Sequence, residues 1–164
     1  MKKKQIGTRK TGPVAYEQSL ALLEKTAKRV VSFLRKKNST VAVWLLSDAH
    51  MRRWERKYMH KEKKIVNVLS FKNPDEFPRP EERKKVLGDV LINWSLYKND
   101  VPYMQYLLVH GILHIVGYRH GRKHDRIKMQ NLELRVCHHI SLPESISEQI
   151  RLKRSSLSAR TLAK

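Results

Sequence analysis

The stretch VHGILHIVGYRHG, residues 109–121, places three histidines in an otherwise apolar run. His110 and His114 are four residues apart, so on a helix both rings project from one face with their Cβ atoms about 5–6 Å apart. Gly117 follows at a position where a helix can end and turn back, and His120 comes three residues later. Because histidine gains little from burial unless its ring nitrogen binds something, the pattern H-x3-H-x5-H predicts a metal site.

Three histidine ligands leave a fourth position open for water, which is the layout of a catalytic zinc site. The ion lowers the pKa of that water from about 15.7 toward about 7. The predicted ligands of one Zn²⁺ per chain are therefore His110, His114 and His120, and His114 is the candidate catalytic residue through the metal-bound water. The motif contains no acidic residue, so no separate general base is identified. The alternative is three unrelated histidines on a helix and its following loop.

The spacing is also that of the metzincin peptidases, in which a glutamate after the first histidine is the general base. Gly111 occupies that position here, which disfavours a peptidase. The chain carries 35 Lys and Arg against 15 Asp and Glu, a net charge of +20. Such an excess usually has a polyanionic partner, with nucleic acid as the first candidate, anionic membrane as the second and general solubility as the plain alternative. Metal geometry, a missing peptidase base and strong positive charge together favour phosphodiester hydrolysis.

The length of 164 residues is most simply one domain, long enough to bury a core without disulfides. Cys137 is the one cysteine, and no apolar run approaches the roughly 20 residues of a membrane helix. The start lacks the apolar stretch of a secretory signal, so we expect a soluble, cytoplasmic protein without membrane association. The expected organisation is a basic flexible N-terminus at 1–13, a single catalytic domain at 14–145 and a basic, disordered tail at 146–164.

Hydrophobic spacing predicts the elements that carry these residues. Four helices are expected, at 16–37, from an N-cap at Asp48, from Pro102 to about Val116, and at 123–139. Three strands are expected, at 40–47, 65–71 and 85–94. Gly88 inside the third strand indicates a bulge or a close backbone approach. Asp89 beside it is interpreted as a structural partner for a backbone group or a histidine, with a role behind a metal ligand as the alternative.

Five blocks of the chain, taken together, resemble the YbeY family, the bacterial rRNA maturation endoribonucleases. HGILHIVGYRH, 110–120, resembles the family signature H-G-x-L-H-L-x-G-Y-D-H. The other blocks follow in the family's order and are SDAHMRRWERKY (47–58), NVLSF (67–71), LGDVLI (87–92) and MQNLE (129–133). The likeness covers residues from about 45 to about 140.

The resemblance implies an α+β, zincin-like fold in which a small mixed β-sheet packs against helices and the metal site lies on the helix and turn H-x3-H-x5-H. It implies a single-strand-specific, metal-dependent endoribonuclease that acts in rRNA maturation, notably at the 3′ end of 16S rRNA, and in ribosome quality control. The three histidines match the family's zinc ligands. The implied partners are rRNA in the small ribosomal subunit, ribosomal protein S11 and an Era-like GTPase, with no DNA.

Two positions depart from the family pattern. Arg119 stands where the family usually has aspartate, and Met59 follows Tyr58 where the family has an arginine. The predicted RNA-binding residues are Arg52, Arg53, Arg56, Lys57, Lys61 and Arg119, of which the first five are dense enough to contact an RNA backbone. The alternative is one solvated helix face. Because of these departures, a non-catalytic, zinc-containing ribosome assembly factor remains a second hypothesis.

Overall fold

The fold is α+β, as expected, and the computed structural model describes residues 13–60, 65–74 and 84–162. The elements in chain order are α1 Pro13–Phe33, β1 Ser39–Leu46, α2 Asp48–Met59, β2 Val68–Lys72, β3 Lys85–Asn93, α3 Trp94–Tyr97, α4 Val101–Ile115, α5 Lys123–His139 and α6 Glu144–Leu162. The predicted flexible segment 1–13 lies outside the described residues apart from its last residue, which begins α1.

The described strands form one mixed three-stranded sheet in the order β1-β3-β2. β1 runs parallel to β3, and β2 runs antiparallel to it. Alternate residues of each strand face opposite sides of a sheet. Val90 and Ile92 accordingly join the main core with α1, α4 and α5, whereas Leu91 joins a smaller apolar cluster with Leu69 and α2. The sheet is therefore covered by helices on both faces.

The middle strand contains a bulge at the glycine that the sequence singled out. Thr40 pairs with Val86 but Ala42 pairs with Asp89, so β3 has one residue more than β1 between these two pairs. A Cβ at Gly88 would collide with the backbone carbonyl oxygen of Phe71 on β2. The predicted bulge and close backbone approach are both confirmed.

The helix with the first two histidines is fixed at both ends by local sequence. Asp100 is its N-cap, and the carboxylate of this residue accepts a hydrogen bond from the backbone N–H of Tyr103 at 3.0 Å. At the other end Gly117 has φ of +106°, and the N–H of Tyr118 donates to the carbonyl of Leu113 at 2.9 Å. This is a Schellman motif with glycine at C′, as the sequence predicts.

Several predicted boundaries differ from the structure. The N-cap of α2 is Ser47 rather than Asp48, because the Ser47 hydroxyl accepts from the backbone N–H of His50. Asp48 is the first residue of that helix, where hydrogen bonds from Asn93 and then Arg52 hold the pKa of its carboxyl below the usual value. The short helix α3 was not predicted, and β2 begins only at Val68.

The C-terminal segment is helical where disorder was expected. α6 spans Glu144–Leu162, and Ile146 and Ile150 on it are at most 3% exposed within the main core. The expectation of disorder is therefore wrong for residues 146–162, which belong to α6. The prediction of disorder rested on the basic, serine-rich composition of the segment. It overlooked Ile146 and Ile150, whose spacing of four residues brings both to one face of a helix.

In the described part of the chain, no helix is both long and apolar enough to span a lipid bilayer.

The packing of α4 on the sheet gives a stability prediction. A Cβ at Gly111 would lie 2.8 Å from Cγ1 of Val90 on β3. Overpacking of this kind costs about 1–3 kcal/mol, and the higher helix propensity of alanine returns about 1 kcal/mol. We expect Gly111→Ala to lower the free energy of unfolding by roughly 1 kcal/mol in chemical denaturation. Gly121→Ala is the matched control, because no described atom lies within 4 Å of its added Cβ.

The double variant Gly111→Ala/Val90→Ala tests the stated cause. Removing the Val90 methyl groups gives the new Cβ room, so the double variant should lose less stability than the sum of the two single changes. A strictly additive result would show that another contact determines the requirement for glycine.

Candidate metal centre

The structure brings the three predicted histidines together. One nitrogen from each ring lies within 4.8 Å of the corresponding nitrogens of the other two. The Nε2 atoms of His110 and His114 are 3.1 Å apart, which is possible because both rings project from the same face of α4. His120 reaches them from the turn after α4, with its ring 4.9 Å from that of His114. The cluster is positioned to bind a metal ion.

The ring of His110 is held by an acidic residue on another helix. Nδ1 of His110 lies 2.6 Å from a carboxylate oxygen of Glu133, which is 3% exposed on α5. A buried carboxylate is costly without such a partner, and a metal-ligating histidine usually donates its second ring nitrogen to a carboxylate or a carbonyl. This contact directs Nε2 of His110 toward the other two rings.

The ring of His114 is held by the turn that ends its own helix. Its Nδ1 donates to the backbone carbonyl of Tyr118 at 3.0 Å, which leaves Nε2 as the acceptor nitrogen. The guanidinium of Arg119 donates from Nη1 to the carbonyls of Tyr118 and His114, at 2.9 and 2.7 Å. Arg119, at the position where the family pattern has aspartate, thus stabilises the backbone that orients His114. The donor set fits a metal ion, because two inward nitrogens are already oriented by partners behind them.

The pKa values of two of the histidines are shifted in the direction that favours metal binding. Burial is the main cause that lowers the pKa of His114 to about 4, and the neighbouring His110 adds to it. Burial also lowers the pKa of His120 below its ordinary value, again with His110 as the next cause. Because a metal binds only the neutral imidazole, both lowered pKa values favour the form of the ring that can bind a metal.

The histidines lie in a groove of about 570 Å³ between α4 and the edge strand β2. One wall is the β2 segment from Val68 to Ser70, and the other is the α4 face with Gly111 and Ile115. Met59, Ile65 and Arg119 also belong to its lining. We call this the histidine groove. Its lining combines apolar side chains with the three histidines and the guanidinium of Arg119.

The structure divides the predicted RNA-binding residues into two groups. Arg119 lines the histidine groove, whereas the four predicted residues of α2 are exposed but are not among the residues lining it: Arg52, Arg53, Arg56 and Lys57. Arg52 pairs with Asp48 at 2.8 Å, and the ammonium of Lys57 lies over the ring of Tyr58. Lys61 lies outside the described residues. Contact of these residues with RNA stays a prediction.

Two acidic residues have roles that differ from the sequence interpretation. Asp89 accepts a hydrogen bond from the indole N–H of Trp44 at 2.8 Å, so its partner among the described residues is an indole instead of the expected backbone group or histidine. Glu133, which the sequence analysis quoted but did not assign, is the residue that contacts His110. Its spacing of four residues from Met129 and from Cys137 could have indicated that Glu133 is buried, because all three lie on the buried face of α5.

Removing the carboxylate behind His110 should weaken metal binding. We expect Glu133→Gln to lower metal affinity by about 10- to 100-fold, because partners of this kind orient the ligand and raise its basicity. The affinity is measured by competition with a chromophoric chelator. Glu148→Gln on the exposed face of α6 is the control and should leave the affinity unchanged. An unchanged affinity in Glu133→Gln would mean that this contact only supports packing.

The lowered pKa of His114 also predicts how stability varies with pH in metal-free protein. The folded pKa of about 4 lies below the ordinary value of 6.5, so between these values the unfolded chain binds more protons. The contribution of His114 is therefore complete above pH 6.5 and is lost as the pH falls toward 4. Urea denaturation across this range should show the decline, and His114→Gln should show a smaller one. Equal declines in both proteins would assign the acid sensitivity to other groups.

Comparisons with known proteins agree with this geometry. The family model described as endoribonuclease YbeY matches residues 7–141. The chain is similar to proteins named endoribonuclease YbeY, and it is 26% identical to the one from Nitrobacter hamburgensis over 70% of this chain and 65% of the relative. The identity to the one from Rhodopseudomonas palustris is 28%, over 68% of this chain and 63% of the relative. The identity to the one from Persephonella marina is 30%, over 79% of this chain and 82% of the relative. The chain thus spans slightly less than two thirds of the first two relatives. With most of its length matched by the family model, the chain belongs to the YbeY family.

Proposed function

We propose that this protein is a metal-dependent endoribonuclease that hydrolyses single-stranded rRNA during ribosome maturation, including the 3′ end of 16S rRNA, and in ribosome quality control. The observation that carries the proposal is the cluster of three histidines in a groove, two of them oriented by a partner behind the ring, in a chain of net charge +20. The relatives named endoribonuclease YbeY support the same activity.

His110, His114 and His120 would hold the ion, and we propose Zn²⁺ because three neutral imidazoles with an open position are a common zinc donor set. The bound ion would supply Lewis-acid chemistry, activating water at neutral pH and polarising the phosphodiester. The protein keeps His110 oriented through Glu133 and His114 oriented through the Tyr118 carbonyl. No separate general base is proposed.

The histidine groove suits an RNA strand whose bases are unpaired. Met59 and Ile65, which are exposed, and Val68, which is half-buried, give it apolar surface on which a base can rest, and β2 is an edge strand of the described sheet. Arg119 places a positive charge at the same groove, where a phosphate or the charge that develops during hydrolysis would be stabilised. The exposed cations of α2 extend this proposed contact along the RNA backbone.

The peptidase alternative is opposed by packing as well as by sequence. A glutamate at position 111 would need the space that Val90 occupies on the face where α4 meets β3. A non-catalytic assembly factor is less favoured, because the histidine cluster opens into a groove instead of being closed by a fourth protein ligand among the described residues. Ribosomal protein S11, an Era-like GTPase and a cytoplasmic location belong to the same proposal and rest on the family resemblance.

The test is cleavage of a labelled single-stranded rRNA fragment by protein of known metal content. We expect wild-type protein to cleave the fragment, and His114→Ala to lose both the metal and at least about 100-fold in rate, because the ion supplies the activated nucleophile. His138→Ala is the matched control, since His138 is exposed at the far end of α5 and is not part of the cluster.

The outcomes separate the hypotheses. Cleavage that survives in His114→Ala, or a wild-type protein that binds metal and RNA without cleaving isolated or ribosome-bound RNA, would contradict the nuclease proposal. The second result would favour the assembly factor. RNA affinity that does not fall with salt would argue against RNA as the ligand.

A further inference from the structure

A second groove, separate from the histidine groove, is dominated by positive charge. It has a volume of about 680 Å³ and lies where α1 ends and β1 begins. Half of its ten lining residues are basic and, among the described residues, none is acidic: Lys28, Arg35, Lys36, Lys37 and Lys84. We call it the basic groove.

The basic groove is separate from the histidine groove. The two share no lining residue in the described structure. Ser39 and Thr40 of β1 line the first, whereas Val68 to Ser70 of β2 line the second. Because β3 lies between these two strands, the grooves are at opposite edges of the sheet. A ligand of the basic groove would therefore not occupy the metal centre.

The dipole of α1 accounts for only some of the cations in the basic groove. Cations are stabilised near the last turn of a helix, where the backbone carbonyls are unpaired. Lys28 lies more than a turn before the end of α1 at Phe33, and Lys84 belongs to the segment that enters β3. These two lysines converge with the helix end only through the tertiary fold. Such convergence of like charges is unfavourable unless an anion is bound.

The backbone at the groove shows that a side chain is kept where glycine would be easier to accommodate. Arg35 has φ of +54° at the C′ position of α1, and the N–H of Lys36 donates to the carbonyl of Val31. This is the Schellman geometry that α4 forms with Gly117. Since an L-residue is strained in the left-handed region, the guanidinium is present at a conformational cost that the helix end itself does not require.

The lining matches a phosphate chain better than a protein surface. Apart from the cations it offers side-chain hydroxyl and amide groups at Ser32, Asn38 and Thr40. Val31 is the one apolar residue in the described lining, and it is only 3% exposed. Protein partners usually need an apolar or aromatic anchor, whereas a nucleic-acid backbone is bound by cations and hydroxyl groups.

We propose that the basic groove binds backbone phosphates of the substrate RNA at a point remote from the cleaved bond. The identity of the polyanion as RNA rests on the proposed function. The groove thereby anchors long or structured RNA by charge, while the histidine groove holds the single-stranded segment to be hydrolysed. An RNA too short to reach both grooves gains nothing from the anchor.

The test compares two triple variants that lose the same charge. Lys28→Gln/Lys36→Gln/Lys84→Gln removes cations of the basic groove, and Lys25→Gln/Lys98→Gln/Lys128→Gln removes exposed lysines outside both grooves. Metal-free protein is titrated into a fluorescent rRNA fragment between about 50 and about 200 mM salt. We expect the groove variant to lower the slope of log K against log salt by about 2 and to bind roughly tenfold more weakly, since each lost phosphate contact contributes about 0.7 to that slope. The control should change little.

A charge-preserving variant and a short substrate complete the design. Lys28→Arg/Lys36→Arg/Lys84→Arg should retain binding of the long fragment. The Gln variant should cleave a short oligonucleotide like wild type and raise KM only for the long fragment. Equal weakening by both Gln triples, or no weakening by the groove triple, would overturn the proposal. If wild type cleaves no RNA but the groove variant alone loses RNA binding, the nuclease assignment fails and the anchor stands.

Discussion

The metal centre depends on how completely α4 is packed. The helix contacts α1, β2, β3 and α5, and nine of its fifteen residues are buried. Its close approach to the sheet requires glycine at position 111, because Val90 fills the space that a side chain would need. With the other sides covered, the His110 and His114 side remains open to the groove. Core packing thus fixes the helix backbone that carries His110 and His114, because close-packed interiors resist displacement.

The position of His120 depends on the C-terminal end of α4. The left-handed Gly117 turns the chain so that Tyr118 presents its carbonyl to His114 and the next residues bring His120 toward the other rings. Arg119 fastens this turn by donating to two carbonyls. One helix C-cap therefore serves two purposes, since it satisfies the last backbone groups of α4 and assembles the donor set.

The distribution of charge over this chain fits the proposed separation of hydrolysis from RNA anchoring. The buried carboxylate of Glu133 and the lowered pKa values of His114 and His120 give the metal centre a local environment unlike the strongly cationic surface. Two groups of exposed cations in the described structure lie elsewhere, on α2 and around the end of α1. Long-range attraction by such a surface concentrates a polyanion near the protein, and short-range contacts then determine where it is bound.

Local sequence determined most of the elements and the three histidines of the candidate metal centre. The spacing of His110, His114 and His120, the turn at Gly117 and the alternation of the strands follow from helix and strand periodicity, which residues within a few positions specify. The tertiary structure alone decided the partner of His110, because Glu133 is 23 residues away on another helix. It also decided the helical C-terminus, whose two isoleucines are stabilised by a core formed elsewhere. The convergence of Lys28 and Lys84 has the same origin, since contacts between distant segments depend on packing and not on local propensity.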